Sequence, residues 1–288
     1  MQFVHHVSPR HFLDTARDFL LASEAENNLI LGLAAELADQ DPLPDPPPFF
    51  ASIQDRDRVI GCLFRTPPLK VGLTRIPDAA VPLAVRGIAD AFGEIPGVIG
   101  PLETIQEFAT VWAASTGVVA TPGMKMGIYA VETVRPPEDP APGALRVAEY
   151  EDGLLLRDWF HRFADEAGLG PPDVDAEVRS LVASGSAFLW EDDGPVCMTV
   201  AKGPTPNGIR IGYVYTPPMH RKRGYASTLV AGVSQRMIAG GRRFCFLYTD
   251  LANPTANELY RRIGYEQVAT AGDIAFGGGP PGQGGFTG

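Results

Sequence analysis

Hydrophobic positions follow two patterns along the chain, and each pattern predicts one kind of element. Short runs rich in β-branched and aromatic residues, bounded by glycine, proline or charged turns, are typical of strands. Apolar residues spaced by three and four are typical of amphipathic helices. In the first half, strands are predicted at 49–54, 59–65, 69–75, 98–99 and 126–134, and helices at 12–22, 27–38, 80–92 and 102–115. In the second half, strands are predicted at 145–148, 187–191, 196–202, 209–215 and 243–249, and helices at 152–167, 173–184 and 224–239.

The order of these elements repeats after roughly 140 residues, which predicts a tandem duplication. Residue identity between the halves is slight, and the alternative is two unrelated α/β domains. The segment 136–143 contains four prolines and one glycine, a composition typical of a stiff, extended linker. We therefore predict domains at 1–135 and 144–276. The glycine-rich tail at 277–288 is of low complexity and is predicted to be disordered.

The segment 209–239 predicts a strand, a basic turn and a helix. Pro217 and Pro218 end the strand because proline cannot donate to a sheet. The turn at 221–226 carries three cations, and Gly224 lets a ligand approach the backbone closely. The unpaired N–H groups and the dipole at the start of the helix favour an anion such as a phosphate. The alternative is a solvated basic turn before an ordinary helix.

Two motifs in the second half fit one known family. In the first, Arg/Gln-x-x-Gly-x-Gly/Ala follows a strand. In the second, a strand leads to Asn, and a helix carries a Tyr four residues before Gly-Phe/Tyr. Together they resemble the pattern of the GNAT superfamily of acyl-CoA-dependent N-acyltransferases. The residues that match it are Arg221, Gly224, Ala226, Asn253, Tyr260, Gly264 and Tyr265. The chain resembles this superfamily over 144–276, and most strongly over 209–268. The resemblance implies a mixed α/β fold in which each of two tandem domains has a mostly antiparallel mixed sheet flanked by helices.

The resemblance also implies a cofactor site and roles for its residues. The co-substrate would be acetyl-CoA, bound by Val214, Tyr215, Thr216, Arg221, Lys222, Arg223, Gly224, Tyr225, Ala226 and Asn253. The Val214 N–H would stabilise the oxyanion at the thioester carbonyl. Tyr260 would be the general acid, because a phenol is neutral at pH 7 and can protonate a thiolate. The alternatives are a plain strand at 214–216, packing for Tyr260 and a helix N-cap for Asn253.

Other candidate groups give weaker signals. Glu149, Glu191 and Asp250 lie at strand ends and are candidate bases, but such carboxylates are more often solvated, and we assign no base. His161 and His220 are isolated, although His220 adjoins the basic turn. The chain has no Cys/His cluster with metal-ligand spacing and no Gly-x-Ser-x-Gly, so neither a metal nor a serine hydrolase is expected.

The first half lacks the basic turn. Residues 76–82 contain no Arg-x-x-Gly-x-Gly/Ala, and Asp78 would repel a diphosphate. Acyl-CoA binding is therefore assigned to the second half alone. The first half resembles a degenerate GNAT-like domain with a structural or substrate-shaping role.

The composition of the chain limits the classes of partner that we expect it to bind. The net charge of −10 argues against nucleic acid and anionic membranes and suits a cationic acceptor. No apolar stretch reaches membrane-spanning length, and no signal peptide is expected, because residues 1–10 contain two histidines and no apolar run of sufficient length. Cys62, Cys197 and Cys245 are widely separated and are predicted to be reduced core residues of a cytoplasmic protein.

Together these features predict an N-acetyltransferase that moves an acetyl group directly from acetyl-CoA to a primary amine of a small molecule or peptide. The alternative is a non-catalytic acyl-CoA-binding or regulatory protein, which the lack of an obvious base leaves open. Tandem architecture also occurs in mycothiol-forming acetyltransferases and N-myristoyltransferases, and nothing in the sequence selects either. The acceptor, the acyl chain length and the oligomeric state are not predicted.

Overall fold

The computed structural model describes residues 1–167 and 173–277, so the predicted tail lies, beyond Gly277, outside the described residues. The first elements are β1 (Gln2–His6), α1 (Pro9–Leu21), α2 (Asn28–Ala38), β2 (Phe49–Asp55), β3 (Arg58–Arg65), β4 (Val71–Leu73), α3 (Val81–Phe92), β5 (Gly97–Pro101), α4 (Leu102–Thr116) and β6 (Ala120–Val131). The second series is β7 (Ala144–Val147), α5 (Gly153–Ala167), α6 (Val174–Ala183), β8 (Ala187–Glu191), β9 (Pro195–Lys202), β10 (Gly208–Tyr215), α7 (Tyr225–Ala239), β11 (Phe244–Asp250), α8 (Pro254–Ile263) and β12 (Glu266–Phe276). The same order of strands and helices occurs in both series, as the tandem repeat predicted.

Two strands were not predicted from the sequence, β1 and β12. The five residues of β1 include His5 and His6, which weaken the apolar pattern. The pattern of β12 is interrupted by Asp273, which is buried. Its carboxylate accepts hydrogen bonds from the Lys70 ammonium at 2.5 Å and from the Met124 N–H at 2.8 Å. A buried charge is tolerated only with such partners, and these lie far away in sequence.

The chain forms two compact units, of which the first contains Met1–Gly127 and the chain from Ala269 onward. Its strand order is β1-β2-β3-β4-β5-β12. The β4/β5 pair is parallel, whereas the pairs β1/β2, β2/β3, β3/β4 and β5/β12 are antiparallel. One apolar core lies against α3 and α4, and another lies against α1 and α2. Alternate residues of β2 and β3 enter the two cores, as the pleat of a strand requires.

The second unit contains Ile128–Val268, with strand order β11-β10-β9-β8-β7. The β10/β11 pair is parallel, and the pairs β7/β8, β8/β9 and β9/β10 are antiparallel. Helices α7 and α8 cover one apolar core, and α5 and α6 cover another. Both units therefore have the predicted mixed, mostly antiparallel sheet flanked by helices.

The boundaries of these units differ from the domain limits expected from the sequence. The chain from Ala269 onward groups with the first unit because β12 pairs with β5, with Ala271 opposite Pro101. The proline-rich segment 136–143 lies within the second unit and is held there. The Trp190 indole N–H donates to the Pro142 carbonyl at 2.7 Å, and the Ala141 N–H donates to the Thr228 hydroxyl at 3.0 Å.

The three cysteines are free and buried, as predicted for core residues. Burial raises the pKa of Cys197 and of Cys245 to about 12, so both remain thiols at neutral pH. Within the described part of the chain, no helix is both long and apolar enough to cross a membrane.

Candidate active site

The end of β10 separates from its parallel neighbour. Their pairing covers Gly208–Arg210, yet β10 continues to Tyr215 and β11 to Asp250. On the other side, the register with β9 slips between Gly212 and Tyr215. Val214 belongs to neither of these described registers. Tyr213 and Val214 therefore lie outside both registers, whereas Tyr215 pairs with Met198 of β9.

A left-handed residue produces this bulge. Tyr213 has φ of +50°, a conformation that costs a non-glycine residue on the order of 1–3 kcal/mol. Its ring is held by Phe160 and Phe163 of α5, with ring centroids at 4.6 and 5.4 Å. The Thr199 hydroxyl also donates to the Gly212 carbonyl at 2.9 Å. These contacts hold the irregular backbone in place.

The basic turn between β10 and α7 has the geometry of an anion cradle. Lys222 and Gly224 are left-handed, with φ of +63° and +81°. Gly224 is the N-cap of α7, and the first N–H of the helix to bond within it is that of Thr228, to the Gly224 carbonyl at 3.0 Å. The N–H groups of residues 225–227 precede this bond and have no acceptor within the helix. Lys222 and Arg223 are exposed beside them.

A cavity of about 530 Å³ joins the bulge to the cradle. Its walls are the end of β10, the basic turn, the start and middle of α8, and the last turns of α5. Among its lining residues are Val214, Tyr215, Thr216, Arg221, Lys222, Gly224, Tyr225, Ala226, Asn253 and Tyr260. All the residues predicted to bind the donor or to act on it are thus brought together except Arg223, which does not line this cavity.

Tyr260 lies in the wall of this cavity and is 8% exposed. Burial, with a smaller effect from Cys197, raises the pKa of Tyr260 above that of an ordinary phenol. The side chain therefore stays protonated at neutral pH. Close by, the Thr216 hydroxyl donates to the Cys197 sulfur at 3.1 Å, which ties the end of β10 to β9.

Tyr225 has its hydroxyl engaged outside the cavity. It donates to the Asp192 carboxylate, and this hydrogen bond is the main cause of the raised pKa of Tyr225. The ring of His220 lies 6.4 Å from the Tyr225 ring and also lines the cavity. The buried Nδ1 of His220 has no hydrogen-bond partner among the described residues.

Asn253 caps α8, since its side chain accepts from the Ala256 N–H at 3.1 Å. This hydrogen bond is the N-cap that the sequence analysis gave as the alternative role of Asn253. Asn253 also lines the cavity. The three candidate bases are engaged elsewhere. Glu149 caps a 3-10 turn, Glu191 pairs with Arg146, and Asp250 accepts from the Ala252 N–H at 2.8 Å.

The carboxylate that does line the cavity is Glu166, which the sequence did not indicate. Both of its oxygens lie 2.7 Å from Nη2 of Arg221. The two residues are 55 positions apart, so no local pattern could have revealed the pair.

A second cavity of about 840 Å³ shares Ser227, Thr255 and Leu259 with the first. It extends along α8 to Arg262 and to the proline-rich segment. Residues of α7 and α8 thus line both of these adjoining cavities. Among the described residues, no group of three or more His, Cys, Asp or Glu side chains is placed to hold a metal ion.

Comparisons with known proteins agree with this architecture. Residues 199–271 match the model of the FR47-like protein family. No curated protein sequence matches the chain. A GCN5-related N-acetyltransferase from Sphaerobacter thermophilus has a TM-score of 0.62 at 18% identity and covers 94% of each chain.

Two further solved structures are similar to this chain over nearly the whole length of both chains. An acetyltransferase of the GNAT family from Colwellia psychrerythraea has a TM-score of 0.57 at 13% identity, with 96% of this chain and 99% of that chain covered. A tandem GNAT protein from the clavulanic acid biosynthesis pathway has a TM-score of 0.57 at 14% identity, covering 97% and 99%. At these identities the likeness concerns the fold.

Proposed function

We propose, from the premise that this chain has the tandem fold of the GNAT superfamily, that it is an N-acetyltransferase. It would transfer an acetyl group from acetyl-CoA directly to a primary amine of a small molecule or peptide. One observation carries the proposal: a single cavity joins a bulged strand end, an anion cradle and a buried tyrosine. These are the parts that holding a thioester, stabilising an oxyanion and protonating a thiolate require.

The shape of the site supports coenzyme A as the donor. The cradle would take the diphosphate through the N–H groups that begin α7 and through Lys222 and Arg223. The 530 Å³ cavity would hold the pantetheine arm along the end of β10, and the adjoining 840 Å³ cavity would take the nucleotide. A donor with a diphosphate at its centre and a long arm on each side fits this arrangement.

The proposed reaction is a direct transfer. The neutral amine attacks the thioester carbonyl, and the oxyanion that forms accepts a hydrogen bond from the Val214 N–H. The C–S bond then breaks, the thiolate takes the proton of Tyr260, and the ammonium formed in the attack gives one proton to solvent. Tyr260 regains a proton from solvent. The products are one N-acetylated amine and free coenzyme A.

The second candidate is a protein that binds acyl-CoA without turnover. It is supported by the positions of Glu149, Glu191 and Asp250, none of which lines the cavity. Binding of acetyl-CoA without transfer to any amine would favour it.

The deciding experiment has two stages. Calorimetry first measures whether the protein binds acetyl-CoA. A panel of small amines and peptides is then incubated with acetyl-CoA, and release of the free thiol is followed. We expect micromolar binding and thiol release with a subset of amines, and failure to bind acetyl-CoA would refute the proposal.

A further inference from the structure

The side chain of Arg221 is fixed toward the end of β10. Its Nε donates to the Thr216 carbonyl at 2.8 Å, and its Nη2 donates to both oxygens of Glu166 at 2.7 Å. The guanidinium lies 5.9 Å from the centre of the Tyr215 ring. The Arg221 N–H also bonds to the Pro218 carbonyl, at 3.3 Å. Nε and Nη2 of Arg221 are therefore engaged within the protein.

We propose that Glu166 is a positioning residue that holds Arg221 as a wall of the channel for the pantetheine arm. The Arg221 guanidinium then shapes the site beside Tyr215 and Thr216. The diphosphate is left to Lys222, Arg223 and the first N–H groups of α7. This inference rests on the proposed function, because it assigns roles to two residues of the same donor site.

The contact belongs to a row of alternating charges on α5. Asp158, Arg162 and Glu166 are spaced by four residues and therefore share one face of the helix. Arg162 pairs with Asp158 at 2.8 Å. Glu166 continues the row to Arg221. Through Arg221, the row reaches the Thr216 carbonyl, just beyond the end of β10.

The exposure of the pair separates this role from a role in folding. The side chains of Arg221 and Glu166 are 42% and 50% exposed. Ion pairs this exposed contribute little to the free energy of folding. Loss of the pair should consequently change ligand binding far more than thermal stability.

The test compares two donors that share the acetylated arm. Acetyl-CoA carries the diphosphate, and S-acetylpantetheine lacks it. Competition calorimetry measures both Kd values for the wild type, Glu166→Gln, Arg221→Ala, the double variant and Lys222→Asn. Asparagine tolerates the left-handed backbone at 222, so this control removes the charge without adding strain.

We expect Glu166→Gln and Arg221→Ala to weaken both donors by the same factor, roughly three- to tenfold. The double variant should be no weaker than Arg221→Ala, since both changes break one contact. Lys222→Asn should weaken acetyl-CoA alone. Thermal melting should show that all variants remain folded.

Three results would overturn the inference. Selective loss of acetyl-CoA affinity in Arg221→Ala would place that guanidinium on the diphosphate. Tighter acetyl-CoA binding in Glu166→Gln would mean that Glu166 competes with the donor. Unchanged Kd values of Glu166→Gln and Arg221→Ala for both donors would mean that the Glu166–Arg221 pair has no role in donor binding. Failure of the wild type to bind acetyl-CoA is a separate outcome, and it would refute the proposed function itself.

Discussion

Tyr260 and Tyr265 pack edge to face with ring centroids 6.0 Å apart, but their hydroxyls have different surroundings. The Tyr265 hydroxyl shares a buried hydrogen bond of 2.7 Å with Ser234. Tyr260 lines the cavity between the bulge and the cradle. Burial raises the pKa of both phenols, so neither loses its proton near neutral pH. The two side chains form a matched pair of which Tyr260, and not Tyr265, is among the residues that line this cavity.

Replacement of Tyr260 by Phe should reduce turnover with little loss of stability. The change removes the proposed acid and keeps the ring. We expect kcat on the best acceptor of the amine panel to fall by roughly 10²–10⁴, the usual contribution of general acid catalysis. The acetyl-CoA Kd should hardly change, and steady-state kinetics with calorimetry measures both.

Tyr265→Phe is the control for this experiment. It breaks the hydrogen bond to Ser234 and should lower the melting temperature while leaving kcat per folded molecule intact. If Tyr260→Phe instead behaves like this control, Tyr260 has a packing role, and water is the acid or the protein has no turnover.

His6 provides a second prediction at the residue scale. It is 3% exposed, its Nε2 is 2.9 Å from the Ser52 hydroxyl, and its ring lies 5.1 Å from that of His11. Burial, together with His11 and His5, lowers the pKa of His6 from 6.5 to about 4. Below pH 6.5 the unfolded chain therefore binds a proton that the folded chain does not.

The free energy of unfolding should consequently fall as the pH drops from 6.5 to about 4, by about 1.4 kcal/mol per pH unit at most. The His6 contribution should level off below that range. Urea denaturation at several pH values measures the slope. His6→Gln should reduce this slope by up to about 1.4 kcal/mol per pH unit, which is the contribution of one proton. Equal slopes in the wild type and His6→Gln would contradict the argument.

At the scale of elements, the start of α7 depends on a glycine. Gly224 has φ of +81°, and an added Cβ would lie 3.7 Å from that of Ala141. A larger side chain at 224 would therefore have space, but it would strain the backbone. It would also occupy the place from which we propose that a phosphate approaches. Gly241, just beyond the end of the same helix, has φ of +101° and similarly open surroundings.

Gly224→Val should abolish measurable acetyl-CoA binding by blocking access to the backbone of the cradle. Gly241→Val imposes a similar strain outside the cavity, so it should cost stability and retain the wild-type Kd. Calorimetry of both variants makes the comparison. Unchanged acetyl-CoA affinity in Gly224→Val would refute the cradle.

Whether the sequence predicted an element depends on how far apart in the sequence its contacting residues lie. The strand, turn and helix around Gly224 were predictable because glycine, proline and apolar spacing act locally. The cap of Asn253 on α8 was predictable for the same reason. Strand β12 was missed because Asp273 is compensated by Lys70, 203 residues away in sequence. Glu166 was missed because its partner Arg221 lies in another element.

At the scale of the whole molecule, the two repeats share their element order but differ after the fourth strand of each series. In the second, β10 ends in a bulge and leads to the cradle. In the first, β4 leads through the exposed Asp78 to α3. The cation at this place, Arg75, lies 2.9 Å from Glu26 and 3.8 Å from Glu103, so carboxylates neutralise its charge. The two series thus share their element order, and the basic turn at 221–226 belongs to the second.

This difference predicts one donor site per chain. Because Asp78 repels a diphosphate and Arg75 is already paired, residues 71–86 should offer no binding energy to acetyl-CoA. Calorimetry should give a stoichiometry of one. Hydrogen–deuterium exchange with saturating acetyl-CoA should show slower exchange at 213–228 and no change at 71–86. Asp78→Asn should keep the wild-type Kd, whereas Lys222→Asn should raise it. Protection at 71–86, or a stoichiometry of two, would mean that the first repeat also binds the donor, and the assignment of its role to structure or substrate shaping would then have to be abandoned.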